Sequence, residues 1–482
     1  MSSVDLYLQA LPNEIFDIIL QLLEPLPLVR LSSCSRPMRW RLQQDYRLWR
    51  ILYLRYFDRP LDLLPTEVYP WRTEFENFFS TWRLLRSLHG PLKAQLVQSV
   101  TRMISMQNPN SKASLNLALL KDCFIPRSID HVTYLRRSAL HQWTRIVRST
   151  SFATGEHVYT PPDCWQWTQF AAKNPYPQQT TEGHLSARLH CLYGPCVQAY
   201  NSASPASFWT DPVLAACARS RVYDARAYSQ EGRRGPFFEG SGRVRVDWAQ
   251  VEALLCILTV SYQRMVDRSR VPPQQINRMV YKSWQTPFAG LERRSCKQSG
   301  RNVTGEMGIA GEDPYGISGS WPTLSAQLPR TDILIKYCRA SLAFPPTQTG
   351  PPLFLREYDQ KGAMELRVTK IQPRQGGSRG LPTVEMVGTW SFTCRETGVV
   401  SRHLLEGQVS PTEDGEIRWS IKFLVSLPVR RTPTHPEMHC TIEGVQIGGP
   451  NTARGVVGMM FPNVAGDSTC PCPVPFAFWK GR

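Results

Sequence analysis

The chain lacks any apolar run approaching the roughly 20 residues a helix needs to cross a bilayer, so no membrane span is expected. No secretory leader is expected either, because Asp5, Glu14 and Asp17 interrupt the first apolar residues and no cationic segment precedes them. These absences predict a soluble intracellular protein, cytoplasmic or nuclear. Catalytic signatures are also wanting. Gly235, Gly240 and Gly242 stand near Arg233 and Arg234, yet no Gly-Lys-Ser/Thr follows to make a phosphate loop. There is no Gly-x-Ser-x-Gly elbow, and the nine histidines form no His-Glu-x-x-His and no pairing with cysteine that would make a nucleophile. The 13 cysteines are scattered and odd in number; Cys191 with Cys196, and Cys470 with Cys472, miss the Cys-x-x-Cys spacing of zinc sites. His190 adjoins Cys191, but no second half-site follows. Reduced, mostly buried thiols are expected, with no metal, no cofactor and no enzymatic activity.

What is present suits a multidomain globular protein. The 482 residues are 42% hydrophobic, enough for real cores, and 39 prolines with 31 glycines argue against an all-helical chain. The net charge of +17 invites a nucleic-acid reading, but its distribution opposes one. Residues 1–150 hold 20 Lys+Arg against 12 Asp+Glu, and the remainder 36 against 27, so the excess is spread evenly. Only short pairs such as Arg233-Arg234, Arg293-Arg294 and Arg430-Arg431 occur, without an aromatic–basic RNA motif or zinc finger. A generally basic surface with an acidic partner fits better than nucleic acid.

Residues 8–57 read as short helices. Leu11, Ile15, Ile18, Ile19, Leu22 and Leu23 recur at helical spacing, while Asn13, Glu14, Asp17 and Gln21 keep the other side wet. Pro25 and Pro27 stop this helix, and Leu28, Val29 and Leu31 restart an apolar face. Residues 65–150 continue as a helical linker in which Trp71, Phe75, Phe78, Trp82 and Leu85 step by three or four; further helices are predicted over 92–106 and 132–147. Residues 151–310 read as irregular and mixed, rich in Pro, Ser, Gln and Trp up to about 210, with one helix over 247–267 capped by Asp247. Over 311–482 the period changes to two. Met364, Leu366 and Val368, and likewise Ile417, Trp419, Ile421 and Phe423, alternate with polar residues between Gly/Pro turns. Seven or eight such runs between 353 and 479 suit an antiparallel barrel or sandwich, so the expected class is α+β. Trp390 and Trp419 are read as core plugs, and Gly444, Gly448 and Gly449 as turn or close-approach positions.

Taken in order, Leu11-Pro12, Glu14-Ile15, Ile18-Ile19, Leu22, Leu28, Leu31, Cys34-Ser35-Arg36, Trp40-Arg41-Leu42 and Leu48-Trp49 resemble an F-box. Ala218 to Arg226, Asp313-Pro314-Tyr315-Gly316-Ile317-Ser318-Gly319-Ser320-Trp321, Glu443 to Gly449 and Phe478-Trp479-Lys480 resemble blocks of large fungal F-box proteins, with a more distant likeness to the barrel of cyclin-D1-binding-type F-box proteins. The chain departs from that pattern at Pro322 to Pro329 and at Cys470 to Pro475, so a degradation target does not carry over. The resemblance implies a substrate-recognition subunit of an SCF-type ubiquitin ligase. Leu11, Pro12, Ile15, Ile18, Ile19, Leu22, Leu28 and Leu31 would dock on a Skp-type adaptor, and through it on cullin and RING subunits. The C-terminal domain would hold a substrate protein. The alternatives are an F-box scaffold acting outside a ligase and a lipocalin-like small-molecule binder using the barrel interior.

Overall fold

Two hydrophobic periods in one chain give two kinds of architecture. The computed structural model describes residues 11–60, 69–87, 94–106, 114–124, 181–195, 209, 212–224, 228, 235–240, 243–268, 282–285, 288–292, 313–328, 357–373, 381–393, 400–427, 439–450, 452, 454–463 and 473–480. They divide between a unit of Met1–Pro91 with Gln98–Arg127 and a unit of Leu92–Val97 with Ser128–Arg482. The short N-terminal helices and the helices that follow them share the first unit; the middle region and the β domain share the second.

The first unit is built from α1 (Asn13–Leu22), α2 (Pro25–Cys34), α3 (Arg36–Gln44), α4 (Tyr46–Tyr56), α5 (Trp71–Ser87), the later part of α6 (Ala94–Ser105) and α7 (Leu115–Phe124). Its short helices are punctuated by local chemistry. Pro25 opens α2, where a missing N–H costs nothing. Ser35 accepts the Met38 N–H at the start of α3, and Asp45 accepts the Leu48 N–H at the start of α4. The core forms where α4 meets α5: Tyr53 has Phe57, Tyr69, Trp71 and Phe78 around it, at ring-centroid distances of 5.3 to 6.0 Å. Of the apolar series predicted for α5, Trp71, Phe75, Phe78 and Leu85 are buried and Trp82 is half-buried. A polar latch ties α7 to the end of α4. The Asp58 carboxylate accepts the Leu115 N–H (2.8 Å) and the Ser114 hydroxyl, while Asn116 accepts the Asp58 N–H (3.1 Å) and donates to Met103 O (2.8 Å).

The second unit holds α8 (Thr181–Tyr193), α9 (Pro212–Val222), the hairpin β1 (Phe237–Gly240) and β2 (Arg243–Val246), α10 (Trp248–Arg268), α11 (Lys282–Gln285) and eight barrel strands. Helix α8 lies inside a stretch expected to be irregular, which corrects that expectation. Its buried side includes Ser186 and His190 as well as Ala187, Leu189, Cys191 and Leu192, so no apolar stripe announces it. The helix predicted over 132–147 lies outside the described residues. Helix α10 forms as expected, with Asp247 accepting the Gln250 N–H at 3.0 Å and also holding Arg221 at 2.9 Å. It is buried on nearly every side from Trp248 to Tyr262 and packs on α8, α9 and the barrel.

The strands are β3 (Gly319–Gln327), β4 (Tyr358–Gln372), β5 (Thr383–Thr393), β6 (Val400–Pro411), β7 (Ile417–Leu427), β8 (His439–Gln446), β9 (Val456–Asn463) and β10 (Val474–Phe478). All pairs are antiparallel in sequence order, and β10 pairs with both β3 and β9, closing the barrel. Gly444 faces Gly458 across β8 and β9, and a Cβ on Gly458 would strike Glu443 O; here glycine serves close strand approach. Gly448 and Gly449, at φ +90° and +89°, make the turn after β8.

Replacing Asn116 by Leu would leave the buried Asp58 N–H and Met103 O without their partner. A loss of about 1–3 kcal/mol is expected in chemical denaturation; unchanged stability would refute the latch.

Candidate functional site

Two features could carry function: the outward face of the N-terminal helices, and the barrel interior. On α1, Phe16 and Leu20 lie four residues apart and are both buried, which fixes the side the helix turns inward. Arg41 sits over the Phe16 ring at 4.3 Å and pairs with Asp17 at 3.3 Å; Arg55 donates to Gln21 O at 3.3 Å. With that side held, Ile15, Ile18 and Leu22 point away, at 47%, 53% and 72% exposure. Ile19 and Leu11 are half-buried, and Pro12 is exposed at the N-cap, its carbonyl accepting the Phe16 N–H.

Not every expected docking residue shares this exposure. Leu31 is half-buried, and Leu28 is only 3% exposed, which corrects its assignment to the outward face. Since α2 begins at Pro25, Leu28 turns into the helical core while Leu26 and Val29 turn out. Sequence reasoning puts Val29 on an apolar face and Trp40 in the F-box-like pattern without assigning either to docking, and it misses Leu26, Tyr46 and Ile51; Trp40 is 68% exposed. For Leu26 and Val29 the available signal was the helix start set by Pro25, which fixes the rotation of the residues that follow it in α2.

The barrel interior is filled by side chains. Trp321 and Trp419 meet edge to face at 5.3 Å, each packs on Phe478, and Met364, Met386, Ile417, Ile421 and Ile442 belong to the same cluster. The indole N–H groups there are matched: Trp419 donates to Gln446, Trp390 to Thr323, and Trp321 to Ile317 O. One end is plugged by Asp313–Ser318. Tyr315 donates to Pro382 O, and Lys480 Nζ donates to Gly316 O (2.8 Å) and to Ser318 O while lying 4.9 Å over Trp321. Both Trp390 and Trp419 thus serve as core plugs.

Toward the other end, His403 stacks on Phe392 at 5.5 Å and meets Trp390 and Phe423 at 5.6 and 5.9 Å. Its Nε2 has no hydrogen-bond partner among the described residues, and burial pushes its pKa down.

Outside the barrel, the helices carry buried charge. Glu357 takes Arg219 and Arg264; burial alone would raise its pKa, but the two guanidiniums hold it below the usual carboxylate range. His190, wholly buried and stacked 3.9 Å from Trp209, meets Glu252 at 2.5 Å, and burial drives its pKa well down. The Arg454 guanidinium donates to Ser283 O at 2.7 Å, to Leu192 O at 2.8 Å and to Ala289 O, tying α8 and α11 to the turn before β9. These groups pair with one another or with backbone carbonyls inside the fold, and Glu357, His190, Glu252 and Arg454 are buried. No group of three or more His, Cys, Asp or Glu able to hold a metal occurs among the described residues, and none of the described helices is long and apolar enough to cross a membrane.

His403 makes a pH prediction. A histidine whose folded pKa lies below its unfolded value binds fewer protons when folded. Its contribution is therefore present above the unfolded pKa of about 6.5 and lost as pH falls through that value. His403→Leu should flatten the fall in melting temperature below about pH 6.5, while the shared contribution of His190 remains; an identical pH profile in the variant would refute it. No family model matches this chain, and no curated protein or solved structure matches it either.

Proposed function

We propose that this protein is a non-catalytic substrate receptor of an SCF-type ubiquitin ligase. Residues 11–52 dock on the Skp-type adaptor, which joins the cullin and RING subunits, and the C-terminal β-barrel holds the protein to be modified. The observation that carries this reading is the aliphatic stripe of Ile15, Ile18 and Leu22, left in water by a helix whose opposite side is anchored through Phe16 and Leu20. Covering each such side chain fully contributes about 1.5–3 kcal/mol, a strong drive toward a partner surface. The receptor contributes no bond-making group of its own. It raises the effective concentration of the acceptor's lysines at the charged conjugating enzyme. The Trp- and Phe-filled barrel favours recognition on its outer surface and loops over a lipocalin-like lumen.

Coexpression of the full chain with a Skp-type adaptor provides the test. Wild type should copurify, and the double variant Ile15→Asp, Ile18→Asp should not, while keeping its melting temperature because both positions are exposed. Copurification of the folded double variant would falsify the docking face.

A further inference from the structure

The same helices carry a second signal, in charge. Residues 28–60 contain eight arginines (Arg30, Arg36, Arg39, Arg41, Arg47, Arg50, Arg55 and Arg59) against the two carboxylates Asp45 and Asp58. Both carboxylates are engaged within the fold, Asp45 at the cap of α4 and Asp58 at the cap of α7. Arg41 is taken up by Asp17, and Arg39 by Ser32 O. Arg30, Arg36, Arg47 and Arg50 are exposed and have no ion-pair partner among the described residues.

Helical spacing puts these four beside the exposed apolar residues. Arg30 lies four residues after Leu26 and next to Val29 on α2. On α3, Arg36 lies four residues before Trp40. On α4, Arg50 lies four after Tyr46, and Arg47 four before Ile51. At three to four residues' separation the side chains are neighbours on one helix face. Arginine stems cover apolar surface while their guanidiniums stay in water, so Leu26, Trp40, Tyr46 and Ile51 each have a cation one turn away.

We infer that the partner docking on this face is a protein with an acidic, apolar-floored groove, and that the four free arginines steer its approach. This rests on the receptor reading above and adds the partner's charge and the division of labour. Aliphatic residues set how long the complex lasts. The arginines set how fast it forms, because uncompensated rim charge acts on the association rate and is screened by salt. Nucleic acid is the rival occupant of a basic face. Phosphate contacts would make use of the arginines but would leave Ile15, Ile18, Leu22, Leu26 and Val29 in water.

The experiment compares the wild-type full chain, the exposed-residue variant Arg30→Gln, Arg36→Gln, Arg47→Gln, Arg50→Gln, and the double variant Ile15→Asp, Ile18→Asp. Each is measured by stopped flow against a purified Skp-type adaptor, and by anisotropy against a labelled DNA duplex. For wild type, the association rate with adaptor should fall about tenfold between about 0.03 and 0.3 M salt. In the arginine variant the rate should drop by about that factor at low salt, lose most of its salt dependence, and leave the dissociation rate within about twofold. Adaptor binding with the same rate and salt slope in wild type and arginine variant overturns the steering inference and leaves the receptor reading intact. Wild type that does not bind adaptor overturns both. Tight duplex binding that needs the arginines and survives Ile15→Asp, Ile18→Asp overturns the protein partner in favour of nucleic acid.

Discussion

The barrel depends on five residues. Val474–Phe478 form hydrogen-bonded pairs with β3 on one side and β9 on the other, so one short strand satisfies two sheet edges that would otherwise be open. Closure then makes the interior a sealed volume into which Trp321, Trp390, Trp419, Phe476 and Phe478 pack from four different strands. The outer surface gains as well. With β3 and β9 held side by side through β10, α10 has a fixed curved wall to lie on, and Glu357 at the head of β4 can bridge Arg219 on α9 and Arg264 on α10. A buried carboxylate between two guanidiniums is tolerable only because neither helix can retreat from it.

Much of this was legible in the residues, because period-two alternation needs only a surface with one wet side. Ile417, Trp419, Ile421 and Phe423 all turn into the barrel as their spacing predicts. The first barrel strand was harder to see. In β3, Trp321 and Thr323 face the interior, but Leu324 and Ala326 on the other face are buried as well, so alternation fails where helices cover the barrel. Helix α8 was hidden for the same reason. Its polar His190 is stabilised by Glu252 from a helix 62 residues on, a compensation that no local pattern contains.

The docking face illustrates a different limit. Apolar residues of α1 can be divided by spacing into two sides, but which side meets water is decided by Arg41 and Arg55, residues of α3 and α4. Ile15, Ile18 and Leu22 fall on the exposed side, whereas Leu28 does not, because one proline sets the phase of α2. Sequence gives the period of a helix more readily than its rotation.

The strand that closes the barrel also orders events in time. Between the end of β3 at Gln327 and the start of β10 at Val474, the chain must emerge and pair β4 through β9 before β3 meets its second neighbour. During synthesis the edges of β3 and β9 are therefore bare, and the tryptophan-rich inner face is open to solvent until nearly the last described residue is made. Long-range pairing of this kind is slow and exposes sticky surface while it waits. The newborn chain thus passes through a stage in which a chaperone, or a second nascent copy, competes with its own tenth strand for the same two edges.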